Sequence, residues 1–213
     1  MLRVGRLMAR KLVYYVACTV DGFIAREDGS WDWALSQGEH FTDLMERFPE
    51  TFPVHLRRTL GVRENARRFD AVLMGRKTYE VGVNAGITSP YEPLRQFVVS
   101  LTMPGIPASA VCLHRGGPLE LVRQLKAETG KDIWLCGGAK LAAAVFTEID
   151  ELILKINPVV IGAGIPLFAG VAGTRATVLT EHRVYPNGFV LARYEYKDPW
   201  PPSGAMDDQN TSA

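Results

Sequence analysis

Gly75, Arg76, Lys77 and Thr78 follow one another directly after the apolar run "DAVLM". A glycine lets the backbone approach a ligand, and a helix starting there offers free N–H groups and a partial positive charge. Two cations and a hydroxyl complete a set that suits a phosphate or pyrophosphate. The plainer reading is a solvated first helical turn. It carries a cost, because each cation at a helix N-terminus is unfavourable by roughly 0.3–1 kcal/mol.

Three further stretches carry chemistry. Ser100, Leu101 and Thr102 close the run "FVVSL" with two hydroxyls that could bind a phosphate monoester, or simply make a turn before Pro104. Cys136, Gly137, Gly138, Ala139, Lys140 and Leu141 put paired glycines between an apolar run and a helix-like run. Such a turn permits close approach to a phosphate. It lacks the later glycine of the GxGxxG fingerprint, and a tight strand-to-helix turn explains it equally well. Asp21, before Gly22, could orient a polar substrate or serve proton delivery, or could merely form the turn. Asp28, Asp32 and Glu39 are further acids in or after the same loop, and Trp31 and Trp33 could cover a pocket. His40, His55, His114 and His182 have no metal-ligand spacing, so no metal is expected. Neither a GxSxG elbow nor a Walker A motif occurs.

The elements that must position these residues alternate. "KLVYYVACTV" (Lys11 to Val20) reads as a strand buried on both faces. "DGFIAREDGSWDW" reads as a loop. Glu39 to Arg68 predicts two helices broken at Pro49 and Pro53. Strands follow at "DAVLMG", "QFVVSL", "SAVCLH", "DIWLCGG" and "DELILKINPVVIG", with helices after Gly75, at "PLELVRQLKAET" and at "AKLAAAVFTEI". "TRATVLTEHRVYPNGFVLARYEY" reads as a closing hairpin around Pro186, Asn187 and Gly188. This pattern predicts a three-layer α/β domain with a mostly parallel central sheet and an antiparallel C-terminal hairpin. A single domain is expected over 11–197, with flexible termini at 1–10 and 198–213.

Composition narrows the function classes. A formal net charge of +1 gives no global field toward nucleic acid or an anionic membrane, so a small-molecule substrate is expected, with no nucleic acid and no membrane as partner. Three cysteines without a CxxC pair argue against a disulfide framework or a zinc site. They read as buried small apolar residues in a reducing compartment. No apolar run approaches the ~20 residues needed to span a bilayer, and "MLRVGRLMARKL" does not read as a secretory signal, so a cytoplasmic location is expected.

Taken in order, "LVYYVACTVDGFIA", "DGSWDW", "AVLMGRKTYE", "FVVSLT", "IWLCGGAKL" and "VVIGAGIPLF" resemble the dihydrofolate reductase-like superfamily from Lys11 to Tyr196. "DGFIA", "DGSWDW", "CGGAKL" and "PVVIGAGIPLF" resemble its riboflavin-biosynthesis reductases, the reductase half of the bifunctional deaminase–reductase, and their small stand-alone relatives. The resemblance implies NADPH as cofactor and hydride transfer to a C=N or C=O group. It implies that Gly75, Arg76, Lys77 and Thr78 hold phosphates and that Ser100, Leu101 and Thr102 lie near the 2′-phosphate. It sets Cys136 to Leu141 against the pyrophosphate, with a cis diglycine bond, and lines the nicotinamide pocket with Ala17, Ile24 and Ala25. Asp21, then Glu39, are the expected catalytic residues, acting in substrate orientation or proton delivery. Arg26 and Lys155 are candidates for a substrate phosphate.

Departures qualify the substrate. The acid that dihydrofolate reductases carry on their first helix finds only Glu39 nearby, with Asp32 off-register. No zinc deaminase signature occurs, which points to a reductase alone, and "GRKTYE" differs from the turn of the riboflavin reductases. A 5-amino-6-(5-phosphoribosylamino)uracil reductase type is therefore expected, with dihydrofolate reduction or a non-catalytic NADPH-binding module as alternatives. A homodimer is what the family suggests.

Overall fold

The computed structural model describes residues 10–62, 66–171 and 173–197. The strands are β1 (Leu12–Thr19), β2 (Phe23–Ala25), β3 (Phe69–Gly75), β4 (Arg95–Val99), β5 (Val111–His114), β6 (Asp132–Gly137), β7 (Glu151–Asn157), β8 (Ile165–Pro166), β9 (Ala176–Val184) and β10 (Val190–Lys197). The α-helices are α1 (Glu39–Arg47), α2 (Val54–Leu60), α3 (Arg76–Asn84), α4 (Pro118–Ala127) and α5 (Ala139–Ala144).

Eight strands form one sheet in the order β5-β4-β3-β6-β1-β7-β10-β9. Every pairing from β5 to β7 is parallel, and β10 pairs antiparallel with both β7 and β9. The strands at the centre are nearly all apolar because both faces are covered. Along β1, Val13 and Tyr15 face one core with Leu44 of α1 and Tyr79 of α3. Leu12, Tyr14 and Val16 face the other, with Leu121 and Leu125 of α4 and Leu141 of α5. Removing each such side chain from water contributes roughly 1.5–3 kcal/mol. The expected three layers and the antiparallel end are both present.

Four details correct the sequence reading. A short β2 sits inside the segment expected to be a loop, and pairs with β8 in a separate two-stranded sheet. Arg10, expected in a flexible terminus, is 4 % exposed. Its guanidinium donates to the carbonyls of Lys131 and Leu125, at 2.6 and 3.1 Å, and pairs with Asp70 and Glu128. The other terminal residues, 1–9 and 198–213, lie outside the described residues. Cys112, expected to be buried, is exposed, because the peripheral strand β5 turns that side chain to solvent. The first helical region also holds a single 3-10 turn between Pro49 and Thr51.

Candidate functional site

The chain runs outward through β3, β4 and β5, then returns to place β6 between β3 and β1. A ligand crevice forms beyond the carboxyl ends of strands where such a reversal occurs. The marked residues meet there. Met74 is in register with Gly137, so the ends of β3 and β6 lie side by side.

Gly75 caps α3, and no side chain caps that helix, so its first N–H groups have no side-chain acceptor from the N-cap. Gly75 has φ −76° and Gly138 has φ −94°, values open to any residue. A Cβ on Gly75 would stand 3.5 Å from the Gly138 nitrogen and 3.6 Å from the Gly137 oxygen, which is ordinary contact. A Cβ on Gly138 would meet nothing nearer than the Thr78 hydroxyl, at 3.7 Å. Neither backbone strain nor crowding within the chain therefore accounts for these two glycines. Gly137 differs: its φ of 121° favours glycine outright, and the Gly137–Gly138 peptide is cis, as the resemblance implies.

Arg76 joins the first stretch to the second, Ser100 to Thr102. Its Nε donates to Glu80 at 2.6 Å and its Nη1 to Thr102 Oγ1 at 3.3 Å. Ser100 Oγ accepts the backbone N–H groups of Thr102 and Met103, at 3.3 and 3.1 Å, which shapes the turn. Leu101 is exposed, as are Lys77 and Lys140. Ala139 and Leu141 are buried, and Leu141 packs in the core beneath the diglycine turn. Cys136 faces the opposite core from Leu141, and burial pushes its thiol up to about 11.

Ala17 lies half-buried on β1, in register with Lys155 of β7. Ile24 and Ala25 lie on β2 beside the end of β1. Gly164 explains part of the "VVIGAGIPLF" run, because a Cβ there would come within 2.3 Å of the Ala25 oxygen. The Tyr14 hydroxyl donates to the Leu167 carbonyl at 3.0 Å, and the Ala169 N–H donates to the Ala139 carbonyl at 3.3 Å. The small sheet is thus tied to α5.

The acids are placed differently from expectation. Asp21 accepts the backbone N–H groups of Ile161 and Gly162, at 3.2 and 2.8 Å, fastening that turn to the end of β1. The Thr19 hydroxyl, then these amides, hold its carboxyl below the usual range. Glu39 is exposed in the first turn of α1, where an acid complements the helix dipole. Asp32 pairs with Arg26 at 2.8 Å on the surface, so the Arg26 guanidinium already has a carboxylate. His40 is buried and stacked on Phe189, with its nitrogens 3.3 Å from the Leu35 carbonyl and 3.0 Å from the Asn187 amide.

Sequence reasoning missed Asn157. Its Oδ1 accepts the Leu35 N–H at 2.8 Å, and its Nδ2 donates to the Lys155 carbonyl at 3.1 Å. It thereby holds the Trp31-to-Gly38 loop at the carboxyl end of β7. An asparagine closing the apolar run "LILKIN" before Pro158 was the available signal. Among the described residues, no cluster of His, Cys, Asp and Glu could hold a metal, and no helix is long and apolar enough to cross a membrane.

The model of the RibD C-terminal domain family matches residues 10–191. The chain belongs to the RibD C-terminal domain family. Its RibD C-terminal domain is 34% identical over 163 residues to the uncharacterized protein YwjB of Bacillus subtilis (strain 168), covering 76% of this chain and 84% of YwjB. A diaminohydroxyphosphoribosylaminopyrimidine deaminase/5-amino-6-(5-phosphoribosylamino)uracil reductase from Thermotoga maritima superposes with TM-score 0.60 at 14% identity, over 89% of this chain and 57% of that one. Dihydrofolate reductase of Enterococcus faecalis, complexed with NADP(H) and RAB-propyl, superposes with TM-score 0.60 at 16% identity, over 90% of this chain and 100% of that one. At these identities the two structures show the fold, which is dihydrofolate reductase-like.

Proposed function

We propose that this RibD C-terminal domain protein is a cytoplasmic, homodimeric, NADPH-dependent reductase. Its substrate is of the 5-amino-6-(5-phosphoribosylamino)uracil type. The observation that carries this reading is the pair Gly75 and Gly138: two glycines that the chain's own conformation and packing do not require, beside an uncapped helix N-terminus. A close-riding phosphate supplies the missing reason, since a methyl group would occupy its place.

The row of strand ends supports the dinucleotide. Ser100 to Thr102 follow β4, Gly75 to Thr78 follow β3, Gly137 and Gly138 follow β6, and Ala17 lies on β1. Three strand spacings of about 4.8 Å separate β4 from β1, roughly 14 Å in all, which suits an extended dinucleotide. Arg76 and Thr102 would meet the 2′-phosphate, Thr78 and the diglycine turn the pyrophosphate, and Ala17, Ile24 and Ala25 the nicotinamide ring. NADPH supplies a hydride from nicotinamide C4. The chain holds the ring at the end of β1 and the substrate beside it, and its apolar strands exclude water. Neither acid considered for a pterin stands ready, because Asp32 is paired with Arg26 and Glu39 is exposed; the pyrimidine reading is therefore preferred to folate.

Gly75→Ala tests the reading with two measurements. Thermal unfolding should be unchanged or slightly improved, by roughly 0.4–1 kcal/mol, because alanine fits the native φ and stiffens the unfolded chain. Calorimetric titration should show NADPH binding weakened at least about tenfold, a loss of about 1.4 kcal/mol. Equal NADPH binding by both proteins would sink the cofactor assignment.

A further inference from the structure

Lys155 presents an ammonium group with no carboxylate beside it. It is half-buried on β7, two residues before the strand's carboxyl end. Its register partners are Ala17 on β1 and Leu191 on β10, so all three side chains lie on one face. The ammonium nitrogen sits 4.2 Å from the centroid of the Tyr15 ring. The other titratable groups acting on it are the thiols of Cys136 on β6 and Cys18 on β1. Leu191 is apolar, and no salt bridge or hydrogen bond from the ammonium occurs among the described residues. Elsewhere this chain pairs its sheltered cations: Arg10, Arg47, Arg68 and Arg193 each meet at least one carboxylate.

A partly desolvated ammonium over a ring face, with no anion, has lost more hydration than one cation–π contact of about 0.5–2 kcal/mol restores. The geometry asks for an acceptor from outside the chain. Burial holds this amine below the ordinary lysine range, at about 8. A donor that is mostly protonated at neutral pH yet able to release its proton suits general-acid work.

We propose that Lys155 is a catalytic residue: its ammonium binds the substrate's C=O or C=N heteroatom at the level of Ala17 and protonates it as the adjoining carbon is reduced. This rests on the reductase reading above. When the carbon accepts hydride from NADPH, the π electron pair moves to the heteroatom. That atom forms a bond to a proton of Lys155 Nζ. The N–H bond breaks with its pair staying on nitrogen, and NADP⁺ and a neutral amine are left. Water then returns a proton to the amine.

The test uses the full chain with lysine labelled at 13Cε, the Lys155 signal being assigned by Lys155→Arg. In the free protein this signal should titrate near pH 8, apart from the surface lysines. Bound NADP⁺ should lower its midpoint, because a positive ring nearby disfavours the ammonium. A signal that titrates with the surface lysines, or that stays put while calorimetry shows NADP⁺ bound, overturns the proposal and leaves the cofactor site standing. Absence of NADP⁺ binding defeats the reductase reading first.

Turnover is followed with 5-amino-6-(5-phosphoribosylamino)uracil and, separately, dihydrofolate. The wild-type kcat should fall as pH rises through about 8, where the donor is lost. Lys155→Met should lower kcat by roughly 10²–10⁴ with the Kd for NADPH unchanged. Lys155→Arg should restore KM but not kcat, because a guanidinium keeps its proton. A Lys155→Met enzyme with wild-type kcat and pH profile overturns the proposal. If neither compound turns over, the resonance titration decides alone. Folding is not at risk, since methionine fills the stem's place and removes a desolvated charge.

Discussion

Arg76 shows how one side chain can serve two stretches of sequence. Its guanidinium reaches Glu80 on its own helix and Thr102 beyond the next strand. On the reading proposed above, an adenosine 2′-phosphate would enter beside it. Arg76→Ala should therefore weaken NADPH more than NADH in calorimetric titrations, by roughly 1.5–3 kcal/mol for a lost charge-assisted hydrogen bond. Equal weakening would move Arg76 to the pyrophosphate, and no change would remove it from the site. The meeting of these stretches at neighbouring strand ends was legible in advance. Gly75, Arg76, Thr78, Thr102 and the diglycine carry their chemistry in their types and their places at strand ends. The amide contacts of Asp21 were not legible, because an acid before a glycine reads alike whether it faces a substrate or backbone amides. Only the fold brought the Ile161 and Gly162 amides to it.

Elements differ in how plainly the chain announces them. The long central strands are continuous apolar runs, and α4 shows a clear apolar stripe, so both were readable. The strands β2 and β8 have three and two residues, too few for any period to appear. They exist because Gly164 lets the chain pass against the Ala25 carbonyl. Gly164→Ala should break that contact. An approach of 2.3 Å must be relieved by backbone movement, since the opposing atom is a carbonyl oxygen. A loss of roughly 1–3 kcal/mol is expected in denaturant unfolding, as for overpacking elsewhere. Amide exchange should accelerate at Phe23 to Ala25 while the β3–β6 pairing stays protected. Unchanged exchange there would show the small sheet to be independent of Gly164. The pairing of Ala17 with Lys155 was equally hidden, because nothing local in either strand names the other.

The whole molecule has two unlike poles. At the amino ends of the strands, the fully buried Glu151 receives Arg68 and Arg193, each at 2.8 Å, and Lys11 stands 3.7 Å away. At the carboxyl ends lie glycines, hydroxyls and the unpaired Lys155. One pole is a network of paired charges around a cavity lined by Arg10, Lys11, Arg68 and Arg193, and the other carries the residues proposed to meet a ligand. The sheet also ends laterally in β9, whose side chains include exposed Val178, Leu179 and Val184. An uncovered apolar edge strand invites a second copy. Light scattering of the purified protein should therefore give twice the mass of one chain, and Leu179→Lys should return it to one. A single-chain mass for the unaltered protein would remove the homodimer.

The contact between Arg76 and Glu80 has a consequence for throughput. Before any nucleotide arrives, the guanidinium is satisfied at 2.6 Å by a carboxylate one helical turn away. On the proposed reading, an incoming phosphate would compete with that carboxylate for the guanidinium, and a departing one would find it ready to return. Such an exchange would lower affinity and shorten the residence of spent cofactor, quickening renewal of the site where release governs the cycle.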